Sequence, residues 1–129
     1  MRLRGDKAIR QAADAARAFG KAQLLADDDL ARLCIVVEEL VANLYDHGGV
    51  TERDEVDLAM ARDPRGIRVS ITDPGIAFDP WSAPRTAESV TRGGGAGLNL
   101  VQAWAELISY RRSGEANHLA LLLPVSWEN

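Results

Sequence analysis

Glu39 and Asn43 stand four residues apart in a stretch with helical periodicity, so their side chains are neighbours on one surface. A carboxylate can serve as a general base, and an amide oxygen is a hard ligand that suits Mg²⁺. At 100° per residue Glu39 falls about 160° and Asn43 about 120° from the centre of the Leu30/Val37/Leu44 stripe, which reads as the side of the helix away from the core. Further along, Ile71-Thr-Asp-Pro-Gly-Ile-Ala-Phe-Asp79 is an apolar strand pattern that ends directly at Asp73. A carboxylate there could accept a hydrogen bond from an exocyclic amine, and Gly75, lacking a Cβ, lets a flat ring approach the backbone. Finally, Arg92-Gly-Gly-Gly-Ala-Gly97 runs straight into an apolar segment that opens at Leu98. A glycine-rich loop that opens a helix offers free N–H groups and the positive end of the dipole, a setting for phosphate. It is not a Walker A loop, because the Lys-Ser/Thr pair is absent. Each pattern also has a plain structural reading: a polar helix face, a turn at a strand end, and a flexible linker.

These residues need elements to hold them. From Asp6 to Phe19 the chain is alanine-rich, with Ile9, Ala12, Ala13, Ala16 and Phe19 at helical spacing, and Gly20 is expected to stop that helix. The carboxylates of Asp27, Asp28 and Asp29 suit the start of a second helix. Its apolar stripe of Leu30, Leu33, Cys34, Val37, Leu40, Val41 and Leu44 ends at Gly48-Gly49. Two alternating segments, Glu55 to Arg62 and Gly66 to Thr72, flank the turn signal at Asp63-Pro64 and predict a hairpin. Asp73 to Gly97 reads as one long loop, of the kind that forms binding or lid segments. A short helix from Leu98 to Ala105 and strands at Leu107 to Arg112 and His118 to Leu123, around the turn from Ser113 to Asn117, complete the order. The expected fold class is α+β, a two-layer sandwich with helices on one face of a mixed, largely antiparallel sheet.

The chain has 129 residues, 47% hydrophobic and 26% charged, which fits a single domain over 1–129 with a core of its own. Net charge of −4 and 5% aromatic content argue against a nucleic-acid partner and against stacking platforms for single strands. The densest basic groups, Arg2 to Arg17 and Arg111 with Arg112, read as solvated faces. No apolar run approaches a membrane span, and the start lacks the apolar stretch of a signal peptide. With a single cysteine, Cys34, no internal disulfide can form; together these favour a reducing compartment and a cytoplasmic protein. Cys34 lies on the apolar stripe and reads as a core residue, and two histidines with one cysteine give no zinc spacing. Trp81, Trp104 and Trp127 read as packing residues.

The order of the patterns carries more than any one of them. An acid-plus-amide helix, then a strand ending in Asp-x-Gly, then a glycine-rich stretch leading into a helix resembles the N, G1 and G2 boxes of the gyrase and histidine-kinase-like (GHKL) ATPases with the Bergerat fold. Within that superfamily the chain is similar to the small bacterial anti-sigma-factor serine kinases. The matching residues are Val36 to Asn43 with His47 and Gly48, Asp73 to Asp79, and Gly94 to Leu98 leading to Ile108 through Arg112. The resemblance implies a pocket for ATP and Mg²⁺. Asn43 would hold the metal, and Glu39 would deprotonate an attacking hydroxyl. Asp73 would bind the adenine amino group, and Gly75 and Ala77 would line the ring. Gly94, Gly95 and Gly97 would form the lid, with Leu98 beside them, and His47 would serve as helix cap or pocket wall. Ala77 departs from the glycine common at its position in the wider superfamily.

The activity implied is transfer of phosphate from ATP to a Ser or Thr on a small regulatory partner. By resemblance that partner is an anti-sigma-factor antagonist of STAS-like type, with a sigma factor as competitor. A homodimer is also suggested by the likeness, although no residue pattern yields one independently. Two alternatives share the same pocket: a nucleotide-binding switch that sequesters a partner without phosphotransfer, and the detached catalytic domain of a histidine kinase.

Overall fold

The computed structural model describes residues 1–77 and 94–127. In chain order these form β1 (Arg2–Arg4), α1 (Ala8–Ala22), α2 (Asp27–Asp46), β2 (Glu55–Asp63), β3 (Gly66–Asp73), α3 (Gly94–Trp104), β4 (Glu106–Ser113) and β5 (Ala116–Pro124). The strands make one sheet in the order β1-β2-β3-β5-β4, and all its described pairings are antiparallel. The three helices among the described residues pack on one face, so the α+β two-layer class expected from the sequence is the one observed. The long central loop expected between Asp73 and Gly97 lies in large part outside the described residues, as does Trp81.

Alternation along the strands decides which face is covered. In β3, Ile67, Val69, Ile71 and Asp73 are buried, and in β5 their partners Leu123, Leu121, Leu119 and Asn117 are buried opposite them. Both hairpins close through two-residue turns. Asp63 pairs with Gly66, where the Asp63 carboxylate accepts the Arg65 N–H at 2.9 Å. Ser113 pairs with Ala116, and Gly114 supplies a φ of +61° at the position where such a turn requires glycine. The expected loop from Ser113 to Asn117 is therefore shorter, and Asn117 is a strand residue.

The helical layer departs from expectation at Gly20. Instead of stopping α1, this glycine is buried within it, the last of a row formed with Ala8, Ala12 and Ala16. A Cβ on Gly20 would stand 2.5 Å from Leu30 Cδ1, so the residue permits close approach of α2 rather than ending a helix. The three aspartates of α2 occupy its first turn, where they meet the positive end of the dipole, while Ala26 at the N-cap makes no side-chain cap bond. The buried positions of α2 are Leu33, Val36, Val37, Leu40, Val41 and Asn43, an arc of about 160° at 100° per residue. That arc is wider than the stripe read from sequence because α2 packs against the sheet and both other helices. Asn43, expected on the outer face, sits at its margin and is 93% buried, being 7% exposed. Cys34, expected to be wholly in the core, is half-buried against it.

Trp104 and Trp127 do pack against the core, each with a guanidinium over its ring: Arg32 at 5.7 Å and Arg62 at 3.7 Å. β1 was not evident in the sequence, because a three-residue alternation is too short to stand out. It is held by pairing with β2 and by full burial of Leu3.

Candidate functional site

The C-terminal end of α2 is built to meet the end of β3. The His47 and Gly48 amides return to the Asn43 carbonyl at 2.8 and 3.1 Å, and the Val50 amide returns to the Leu44 carbonyl at 3.2 Å. Gly49, with a φ of +74°, turns the chain out of the helix in the left-handed manner common at helix ends. This leaves the Gly48 carbonyl free to accept the Ile76 amide at 2.9 Å, which fastens the segment after β3 to the helix. Gly75 passes so close that a Cβ would overlap the Gly48 carbonyl oxygen, so no side chain is compatible with this approach.

Between these elements lies a cleft lined by Leu40, Asn43, Leu44, Ile71, Asp73, Tyr110, Asn117 and Leu119, with an empty volume of about 320 Å³ including its open mouth. Its walls are apolar, and its convergent polar groups come from α2, β3, β4 and β5, the usual character of a ligand site. Asp73 is 4% exposed, and its Oδ1 accepts the Gly75 amide at 2.8 Å and the Asn117 Nδ2 at 3.1 Å. Both of its hydrogen bonds among the described residues thus fall on one oxygen, leaving Oδ2 as the acceptor available to a ligand.

Asn117 was not singled out in the sequence, yet it is the most connected side chain here. Its Nδ2 donates to the Ile76 carbonyl at 2.7 Å, the Asp73 carboxylate, and the Gly75 carbonyl at 3.3 Å. Its Oδ1 accepts from the Tyr110 hydroxyl at 2.7 Å and Arg112 Nη1 at 3.0 Å. Arg112, read from sequence as part of a solvated face, is exposed as expected, and its guanidinium also donates to the Gly75 carbonyl at 2.9 Å. An asparagine beside a turn signal is too common to flag; only the register, which sets Asp73 and Arg112 on either side of Asn117, reveals it.

The residues expected at the site are only partly brought together. Asn43 and Asp73 share the cleft wall, and Gly75 is tied to Asp73. Glu39, one turn before Asn43, is half-buried and lies outside the cleft lining. His47 is the exposed C-cap residue of α2, and Ala77 is exposed; neither lines the cleft. Gly94, Gly95 and Gly97 form the first turn of α3 rather than a loop ahead of it, and Leu98 follows half-buried in the same helix.

Two groups on α2 have displaced acidities. Burial pushes the Cys34 thiol up; the Arg17 guanidinium pulls it back, and Glu38 adds to the rise. Burial, with the Asp54 carboxylate, also raises the Tyr45 phenol, whose hydroxyl is buried without a hydrogen-bond partner among the described residues.

No cluster of three His, Cys, Asp or Glu side chains forms a metal cage among the described residues. The buried Asn43 carboxamide on the cleft wall offers one hard oxygen, a donor of the type Mg²⁺ takes alongside substrate phosphates.

Comparison with known proteins accords with this geometry. Residues 5–123 match the model of the histidine kinase-like ATPase domain. The chain therefore belongs to the histidine kinase-like ATPase family, and that membership supports ATP binding. Among solved structures, the histidine kinase domain of the blue-light activated histidine kinase EL346 from Erythrobacter litoralis is similar at 21% identity and a TM-score of 0.52. The match covers 75% of this chain and 45% of that one. A longer structure of the same Erythrobacter litoralis kinase matches at 20% identity and a TM-score of 0.56, over 78% of this chain and 32% of the other. At these identities the likeness shows the fold, and the chain spans less than half the length of either. No curated protein matches the chain.

Proposed function

We propose that this protein is an ATP- and Mg²⁺-dependent kinase that phosphorylates a Ser or Thr on a small regulatory partner in the cytoplasm, an anti-sigma-factor antagonist of STAS-like type. The observation that carries the nucleotide part is the convergence of Asn43 and Asp73, 30 residues apart in sequence, on the wall of one apolar cleft in a chain of this family. Asp73 Oδ2 accepts the hydrogen bond of an exocyclic amine, and Asn43 offers an oxygen to the metal, which neutralises phosphate charge when bound. Glu39, next on the same helix surface, takes the proton of the attacking hydroxyl. Phosphoryl transfer needs positioning and charge neutralisation more than a protein nucleophile, so the half-buried Cys34 has no part in it.

Glu39 separates this reading from a sequestering switch. Glu39→Ala should retain ATP binding and lose phosphate incorporation into candidate partners, read by intact-mass spectrometry; equal incorporation by variant and parent contradicts the assignment. One observation favours a second reading, a histidine kinase catalytic domain: the two structures compared above come from a blue-light activated histidine kinase, of which this chain spans a part. Phosphate that is acid-labile and sits on histidine rather than on Ser or Thr would select it.

A further inference from the structure

We propose that Asn117 is a positioning residue for the cleft. Its carboxamide, held in one orientation by Tyr110 and Arg112, sets both the Asp73 carboxylate and the Gly75–Ile76 backbone for a ligand base that carries an exocyclic amine; this rests on the nucleotide reading above. The argument begins with register. Asp73, Asn117 and Arg112 stand abreast on β3, β5 and β4. The strands are already joined by their backbone ladder, so the Asn117 side chain is not needed to pair them. Its bonds go past the end of β3, to Gly75 and Ile76.

The orientation of the amide is dictated by its surroundings. Tyr110 and Arg112 both donate at one end, at 2.7 and 3.0 Å, so the oxygen must face them and the nitrogen must face Asp73 and the two carbonyls. The nitrogen then occupies Asp73 Oδ1 together with the Gly75 amide. What remains for a ligand is Oδ2, a pure acceptor, on a carboxylate fixed from two sides. A base with a carbonyl in place of the amine would put two acceptors in opposition there.

Asn117→Asp isolates the role, because the introduced carboxyl keeps an acceptor for Tyr110 and Arg112 while losing both N–H donors. The charged groups facing it are Asp73 from β3 and Arg112 from β4, with the Tyr110 phenol; α2 presents the neutral Asn43, and His118 lies on the other sheet face with Thr72. Two carboxyls in one buried place share a proton, which supplies the missing donor. Deprotonation removes that donor and sets like charges against each other. Relative to parent, ADP affinity of Asn117→Asp should therefore fall as pH rises, by about tenfold per unit above the upper titration of the pair, between about pH 5.5 and 8.5. Taking the variant-to-parent ratio at each pH cancels titration of ADP itself. In the ligand-free proteins the Gly75 amide should exchange faster in the variant at the alkaline end.

A ratio that stays flat across the range, or unchanged Gly75 exchange, overturns the proposal. Failure of the parent to bind ADP would instead overturn the nucleotide reading, and amide exchange would still decide the role of Asn117. If Asn117→Asp does not fold, Arg112→Met removes the second bond to the Gly75 carbonyl. Faster Gly75 and Ile76 exchange would then support the proposal, and parental exchange would contradict it.

Discussion

A single methyl group at Gly75 should undo the junction between α2 and β3. The Cβ of Gly75→Ala would overlap the Gly48 carbonyl oxygen and stand 2.9 Å from Asp73 Oδ1 and 3.1 Å from Val50 Cγ2. The closest of these atoms is backbone, so no rotamer change relieves the clash and the segment itself must shift. That shift sacrifices the Ile76-to-Gly48 bond of 2.9 Å and the Gly75-to-Asp73 bond of 2.8 Å. Overpacking costs about 1–3 kcal/mol and each lost bond about 1 kcal/mol net, so the total is roughly 3–5 kcal/mol. For a domain of this size that corresponds to a fall of about 10 °C or more in Tm. ADP affinity should fall as well, because Asp73 loses one of the donors that fix it. Calorimetric melting and ADP titration measure both effects. Gly114→Ala serves as comparison: nothing lies within 4 Å of its Cβ, and only the φ of +61° is penalised, at about 1–2 kcal/mol. A Gly75→Ala protein with parental Tm and parental affinity would refute the reasoning.

Asn43→Ala should abolish the Mg²⁺ dependence of ATP binding while leaving the Mg²⁺-independent part; calorimetric titration with and without the ion reads this directly. Tyr45→Phe removes a buried hydroxyl that has no partner among the described residues, so it should leave stability unchanged or raise it by about 1 kcal/mol, visible in a thermal melt. Because burial raises the Cys34 thiol, its thiolate should form only at a pH above that of an exposed cysteine. Alkylation at neutral pH should accordingly be slower than for a free thiol, with a rate profile displaced upward in pH.

Elements with a strong period could be read from the sequence, and so could the side chains that repeat with them. The α2 stripe, the β2–β3 hairpin and the strand ending at Asp73 all follow from apolar spacing alone. Positions where tertiary packing overrides local preference could not. Gly20 carries a helix-stopping signal, yet it lies buried inside α1, where its missing side chain makes room for the Leu30 side chain of α2. Asn43 falls outside the apolar stripe, yet burial by elements on several sides widens the covered arc to include it. Asn117 and Arg112 gain their importance from strand register, which joins residues 44 positions apart in the case of Asn117 and Asp73. Turn length hid them further: the expected five-residue loop would have left Asn117 outside the sheet, and the two-residue turn brings it in.

The account depends on Asp73 and Asn43 serving one nucleotide, and isothermal titration of the purified protein with ATP tests this most directly. With Mg²⁺ the parent should bind one ATP per chain and prefer it to GTP. Asp73→Asn should weaken that preference, since the new amide can donate as well as accept. Absence of ATP binding by the parent, or an undiminished preference for ATP in Asp73→Asn, would contradict the assignment of this cleft.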